Sequence, residues 1–111
     1  MLPKENRADK KAIDKIFKEG KFINSPNLTF KFILSRNNAK RISFIVPKTV
    51  AKLATKRNLL RRRGYSALEK HINHFPAGLT GAFIFKKPEN DVSILENEIK
   101  TVFRIILSRT N

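Results

Sequence analysis

Phe44-Ile45-Val46-Pro47-Lys48, followed by Lys56-Arg57-Asn58-Leu59-Leu60-Arg61-Arg62-Arg63, is the stretch on which the reading of the fold turns. It describes a strand closed by proline, a loop, and a helix whose polar side is basic. Pro47 has no N–H for a ladder bond and so ends the strand that begins at Arg41. A loop from Lys48 to about Ala54 leads into a helix over roughly Thr55 to Asn73. Its inward face is Leu60, Gly64, Ala67, Leu68, His71 and Ile72 at helical spacing. Arg57 and Arg61 form one i, i+4 row and Asn58 and Arg62 the next. With Tyr65 they make a continuous strip beside the buried face. Lys48, Lys52 and Lys56 carry the charge back toward the strand at spacings of four.

Outward from this stretch the pattern continues in both directions. Ala12, Ile13, Ile16 and Phe17 mark a helix over about Asp9 to Lys18, with Gly20 as its stop. Asn24-Ser25-Pro26-Asn27 is a turn cluster. Leu28, Phe30, Phe32 and Leu34 alternate with Thr29, Lys31, Ile33 and Ser35, a strand with one face buried. The polar segment Arg36-Asn37-Asn38-Ala39-Lys40 makes a hairpin connection to the strand Arg41 to Val46. His74-Phe75-Pro76-Ala77-Gly78 breaks the basic helix. Ala82-Phe83-Ile84-Phe85 reads as a central strand buried on both faces. Ser93 with Glu96 forms a capping box, and the last helix buries Leu95, Ile99, Val102, Phe103 and Ile106. The predicted order is α-β-β-α-β-α, an α+β two-layer sandwich with helices on a small mixed sheet.

The chain has 111 residues, enough for one domain over 1–111 and no more. Its 24 Lys+Arg against 9 Asp+Glu leave a formal charge of +15, yet 41% of residues are hydrophobic and nine are Phe, so this is a folded core and not a disordered basic tail. The charge is concentrated. Between Gly20 and Leu68 there are twelve Lys and Arg and no acid, so +12 of the +15 lies in mid-chain. A block of one sign destabilises the compact state unless a polyanion neutralises it. No run approaches the roughly 18 apolar residues of a membrane span, and Met1-Leu2-Pro3 does not open a signal peptide. No disulfide or thiolate site is possible without Cys. These features point to a cytoplasmic nucleic-acid-binding domain, with neither a membrane partner nor a small-molecule substrate.

The residue types on the basic strip suit phosphate. Guanidinium groups present planar forks to pairs of phosphate oxygens. Asn58 between them suits a phosphate, ribose or base edge, and Tyr65 offers a stacking surface. A merely solvated helix face would mix signs to form i, i+4 pairs; this helix has no acid before Glu69. Metal-assisted hydrolysis by the protein alone would need clustered carboxylates or histidines, and His71 and His74 lack an evident third ligand. No nucleophile–base pair stands out, so no catalytic side chain and no protein-held metal is expected.

These residues resemble the bacterial ribonuclease P protein component. That family carries a strand ending near a Ser-Lys-Lys, a short loop, and an Arg-Asn-Arg helix followed by a further basic pair. Here the strand end reads Pro47-Lys48-Thr49, the Arg-Asn pair is Arg57-Asn58, and the following pair is Arg61-Arg62. Leu2-Pro3-Lys4-Glu5-Asn6-Arg7 and Ile16-Phe17-Lys18-Glu19-Gly20 also match, and the likeness runs from about Leu2 to Leu107. Leu59 in place of the third triplet residue, Gly64 in place of a bulkier one and Thr49 in place of Lys are departures.

The resemblance implies a ribosomal-protein-like fold with a left-handed βαβ crossover. It also implies a subunit that binds the catalytic RNA of ribonuclease P and the 5′ leader of precursor tRNA. The holoenzyme removes the leader by Mg²⁺-dependent phosphodiester hydrolysis, with the RNA carrying the active site and, together with the substrate, most of the Mg²⁺. Lys52, Lys56, Arg57, Asn58, Arg61 and Arg62 become the implied contacts to the RNA subunit. The leader is implied to lie in a groove between the basic helix and the sheet, against Ile13, Phe17, Lys31, Lys48 and Tyr65. Phe30 and Phe32 either add stacking faces there or, by strand parity, belong to the core. The rival reading is a ribosomal or ribosome-assembly protein that binds folded RNA without a role in cleavage. A DNA-binding module has no helix-turn-helix signal here, and an autonomous nuclease lacks acidic ligands.

Overall fold

A computed structural model describes residues 10–34 and 40–110. The order is α1 (Lys10–Glu19), β1 (Lys21–Asn24), β2 (Leu28–Leu34), β3 (Arg41–Ile45), α2 (Ala54–Glu69), β4 (Leu79–Phe85) and α3 (Val92–Thr110), with a 3-10 turn at Ile72–His74. Asp9, the Leu2–Arg7 pattern and residues 35–39, the place of the expected hairpin connection, lie outside the described residues. The α+β class holds, with one strand more than the periodicity indicated. β1 has four residues and buries only Ile23, too short a run for alternation to register; pairing with β2 makes it a strand.

The sheet runs β1-β2-β4-β3, antiparallel between β1 and β2 and between β2 and β4, parallel between β4 and β3. The expected hairpin between β2 and β3 is therefore corrected, because β4 lies between them. Its composition explains the place: every residue of β4 is buried except Ile84, which is half-buried, so this strand requires a neighbour on each side. β3 opens on exposed Arg41 and tolerates an edge.

Strand parity sorts the two faces. Leu28, Phe30 and Phe32 of β2, Ile42 and Phe44 of β3, and Leu79, Phe83 and Phe85 of β4 pack with Leu60, Tyr65, Ala67 and Leu68 of α2 and Leu95, Ile99, Val102 and Ile106 of α3. Phe30 and Phe32 thus belong to the core. Phe83 is its hub, with ring centres 4.3 Å from Phe30 and 5.1 Å from Phe44. Gly64 lets α2 sit close: a Cβ there would fall 2.5 Å from the Phe44 ring. Gly78, at φ 83°, makes the left-handed turn into β4 that a side chain would oppose. On the other face, α1 lies against β2 and β4 and buries Ile16 completely.

The helix ends depart from the sequence expectation in two places. α2 stops at Glu69, so His71 and Ile72 sit half-buried in the turn beyond it. At α3 the capping oxygen is Asp91 Oδ1, which accepts from the backbone N–H of Ser93 at 2.9 Å and of Ile94 at 3.4 Å. The Ser93–Glu96 capping box is corrected accordingly, since Asp91 precedes the first helical residue and Ser93 follows it. Glu96 instead meets His71 Nε2 at 2.9 Å. That hydrogen bond, with Lys100 and Lys70 nearby, holds the Glu96 carboxyl below the usual carboxylate range against the opposing effect of desolvation.

Glu98 is a buried carboxylate that periodicity does not reveal. It accepts from Ser25 Oγ at 2.6 Å, the Asn27 backbone N–H at 2.7 Å and Asn27 Nδ2 at 2.6 Å. The turn between β1 and β2 is thereby pinned to α3. Among the described residues, no helix is long and apolar enough to cross a membrane.

Candidate nucleic-acid interface

The basic stretch is built from a tight turn into a helix. The Pro47 carbonyl accepts from the N–H of Val50 at 2.9 Å and of Ala51 at 3.2 Å, folding the chain back directly after β3. Ala51 is buried, whereas Lys48, Lys52 and Leu53 project into solvent. α2 then begins without a side-chain cap or an acidic residue in its first turn. Its N-terminal end and its side chains are thus both positive in character.

The cations on this frame do not share one role. Arg57 Nη1 donates to the carbonyls of Ala51 at 3.0 Å and Lys52 at 2.7 Å. Its guanidinium is half-buried and clamps the last turn of the loop to the helix. Arg61 is also half-buried and donates to the Asn58 side-chain oxygen. Lys52, Lys56, Asn58, Arg62 and Arg63 are exposed. The strip therefore exists, with Arg57 and Arg61 at its inner margin and the others facing water. Arg57 is the residue whose role sequence reasoning missed; its i−5 and i−6 carbonyl partners depend on how the loop turns.

Tyr65 is corrected. It is 6% exposed, packs edge-on to Phe44 with ring centres 5.0 Å apart, and its hydroxyl accepts from the Phe44 N–H at 3.3 Å. It offers no stacking face. Helical angle alone left it at the border of the buried arc, and the close approach of α2 at Gly64 draws it inside. At this point the apolar core fills the space between α2 and the sheet.

The opposite face of the sheet carries α1. Ile13 is half-buried there and Phe17 is 47% exposed. Lys31 rises from β2 with Nζ 4.8 Å from the centre of the Phe17 ring, a cation–π contact. A separate depression of about 570 Å³ lies between α1 and Arg41, with Lys11, Lys15 and Lys18 and the carboxylates Asp14 and Glu19 on its wall. Ile13, Phe17 and Lys31 are thus brought together. Lys48 is not: Ser43 shares the sheet row of Lys31 through Ala82, and Lys48 lies five residues further along the chain. Phe22, on the same face and 58% exposed, is a surface aromatic that sequence reasoning missed; the Lys-Phe-Ile-Asn run that carries it signals only weakly as a strand.

On the α2 side the surface offers ammonium and guanidinium donors and backbone N–H groups and no carboxylate, whereas Asp14 and Glu19 stand among the lysines beside α1. Mg²⁺ takes oxygen ligands in octahedral array, so the α2 side does not fit that ion. Among the described residues no group of three or more His, Cys, Asp or Glu side chains is placed to hold a metal. What the arrangement suits is a phosphate chain on the α2 side and unpaired bases on the α1 side.

Comparison with known proteins bears on this geometry. A family model described as Ribonuclease P matches residues 2–107. The RNase P protein of Staphylococcus aureus superposes with a TM-score of 0.78 at 20% identity, over 93% of this chain and 96% of that one. The RNase P protein of Thermotoga maritima superposes with a TM-score of 0.76 at 20% identity, over 87% and 94%. No curated protein sequence matches closely enough to count.

Proposed function

Since the chain belongs to the ribonuclease P protein family, in which the protein partners an RNA component, we propose that it clamps a catalytic RNA with its α2 side and guides the precursor tRNA 5′ leader along its α1 side. The observation that carries this reading is the acid-free run from Lys48 to Arg63, set on a rigid turn and helix with Lys52, Lys56, Arg62 and Arg63 in solvent. Such a surface gains affinity by releasing counterions from a phosphate backbone.

On this reading the protein supplies no reacting group. Mg²⁺ belongs with the RNA subunit and the substrate, and it supplies charge stabilisation for the in-line hydrolysis of the phosphodiester. The exposed cations lower the repulsion between RNA subunit and leader. Phe17 offers a face for an unpaired base and Lys31 a charge for the neighbouring phosphate.

The test is reconstitution. The purified chain alone should leave precursor tRNA intact. Added to a folded bacterial ribonuclease P RNA, it should raise leader cleavage at low Mg²⁺. No stimulation with an RNA that is active at high Mg²⁺ would reject the reading.

A further inference from the structure

Phe22 is the most exposed of the nine Phe residues, and the fold does not bury it. It lies on β1, an edge strand whose only sheet partner among the described residues is β2. Edge strands ordinarily present charge or proline to solvent, because a bare apolar side chain there invites association.

Register makes the position specific. Phe22 stands directly opposite Lys31, and opposed residues on neighbouring strands share a face about 5 Å apart. The Lys31 ammonium in turn sits over Phe17. Two exposed rings therefore flank one cation in a row from α1 to the sheet edge. Asn24, two residues on and on the same face, accepts from Thr29 Oγ1 through its side-chain oxygen at 2.8 Å, which fixes its amide group beside the row.

We propose that Phe22 is a second stacking platform for the leader, holding an unpaired base upstream of the one over Phe17, with the intervening phosphate at Lys31. Asn24 offers its amide N–H to the edge of that base or to its ribose hydroxyl. The inference rests on the α1 side being the leader surface. Its chemistry selects single-stranded RNA over other partners. Duplex bases present no free faces to stack, and an apolar protein surface would bury Lys31 without a counter-charge.

The experiment uses holoenzyme assembled from the full chain and a bacterial ribonuclease P RNA, with precursor tRNAs whose leaders lengthen one nucleotide at a time. For the unaltered protein, affinity should rise in steps as successive bases reach Phe17 and then Phe22. Phe22→Ala should abolish the later step alone, about 5- to 100-fold in Kd for long leaders, and leave short leaders unchanged. Phe22→Trp should restore it. If Phe22→Ala follows the unaltered curve at every length, or weakens all lengths equally, the platform is wrong while the leader surface stands. If the unaltered enzyme shows no dependence on leader length, both fall.

Discussion

The closed side of the sheet, under α2 and α3, and the open side, beside α1, are built from the same residue types put to opposite uses. Phe30 on the closed side is fully buried; Phe17 and Phe22 on the open side are about half in water. The arginines divide likewise, with Arg57 turned inward onto two carbonyls and Arg62 turned outward. Phe22 is one strand step from Ile23, the partner of Phe30, and Arg62 lies five residues from Arg57, about 140° around the helix. Residue identity states what a side chain can do, and position states for whom it does it.

The largest effect expected from testing this contrast is at Gly64. Gly64→Val adds three carbons, the first of which would already meet the Phe44 ring, so denaturant unfolding should show a loss of about 1–3 kcal/mol or more. Phe22→Ala, on the open side, should stay within about 0.5 kcal/mol of the unaltered chain. Equal losses would erase the distinction between the two sides.

The arginine pair comes next. Arg57→Gln removes a charged donor from two carbonyls and should lower stability by about 1–3 kcal/mol. Arg62→Gln should leave stability unchanged and reduce the slope of log affinity for RNA against log salt by about one. A reversal of the two outcomes would show the inner and outer assignments to be inverted. Phe17→Ala should weaken binding of leader-bearing precursor by about fivefold or more, with little effect on tRNA that lacks a leader.

The smallest effect concerns acid. The Glu96 carboxyl titrates below its ordinary value when folded, so its contribution to stability is present above the unfolded value, about 4.3, and disappears as pH falls through the folded one. Thermal unfolding from pH 6 downward should therefore decline more steeply for the unaltered chain than for Glu96→Gln. Parallel curves would mean that the His71 contact carries no linkage.

How far the sequence announces all this follows from which interactions are local. The helical faces, the alternation of β2 and the two-sided burial of β4 are periodic over neighbouring residues, so they can be read along the chain. The basic strip is legible for the same reason. Three features are not. β1 is recognisable only through its pairing with β2. The placement of β4 between β2 and β3 is a choice among non-local pairings. The inward turn of Tyr65 depends on how near Gly64 brings α2 to Phe44, a distance that no spacing rule encodes. Arg57 illustrates the boundary: its charge is visible in the sequence, but its clamp on Ala51 and Lys52 exists only once the loop has folded.

The insertion of β4 between earlier strands also sets a timetable. A ribosome delivers β2, β3 and the whole arginine-rich helix before residues 79–85 emerge, and until then β2 and β3 lack the strand that joins them. The hydrophobic seat of α2 is completed late, by long-range pairing, which is the slow kind of contact to form. During that interval the nascent chain trails a dense, unneutralised run of cations beside ribosomal RNA. The order of synthesis thus leaves the seat of α2 incomplete until the central strand arrives.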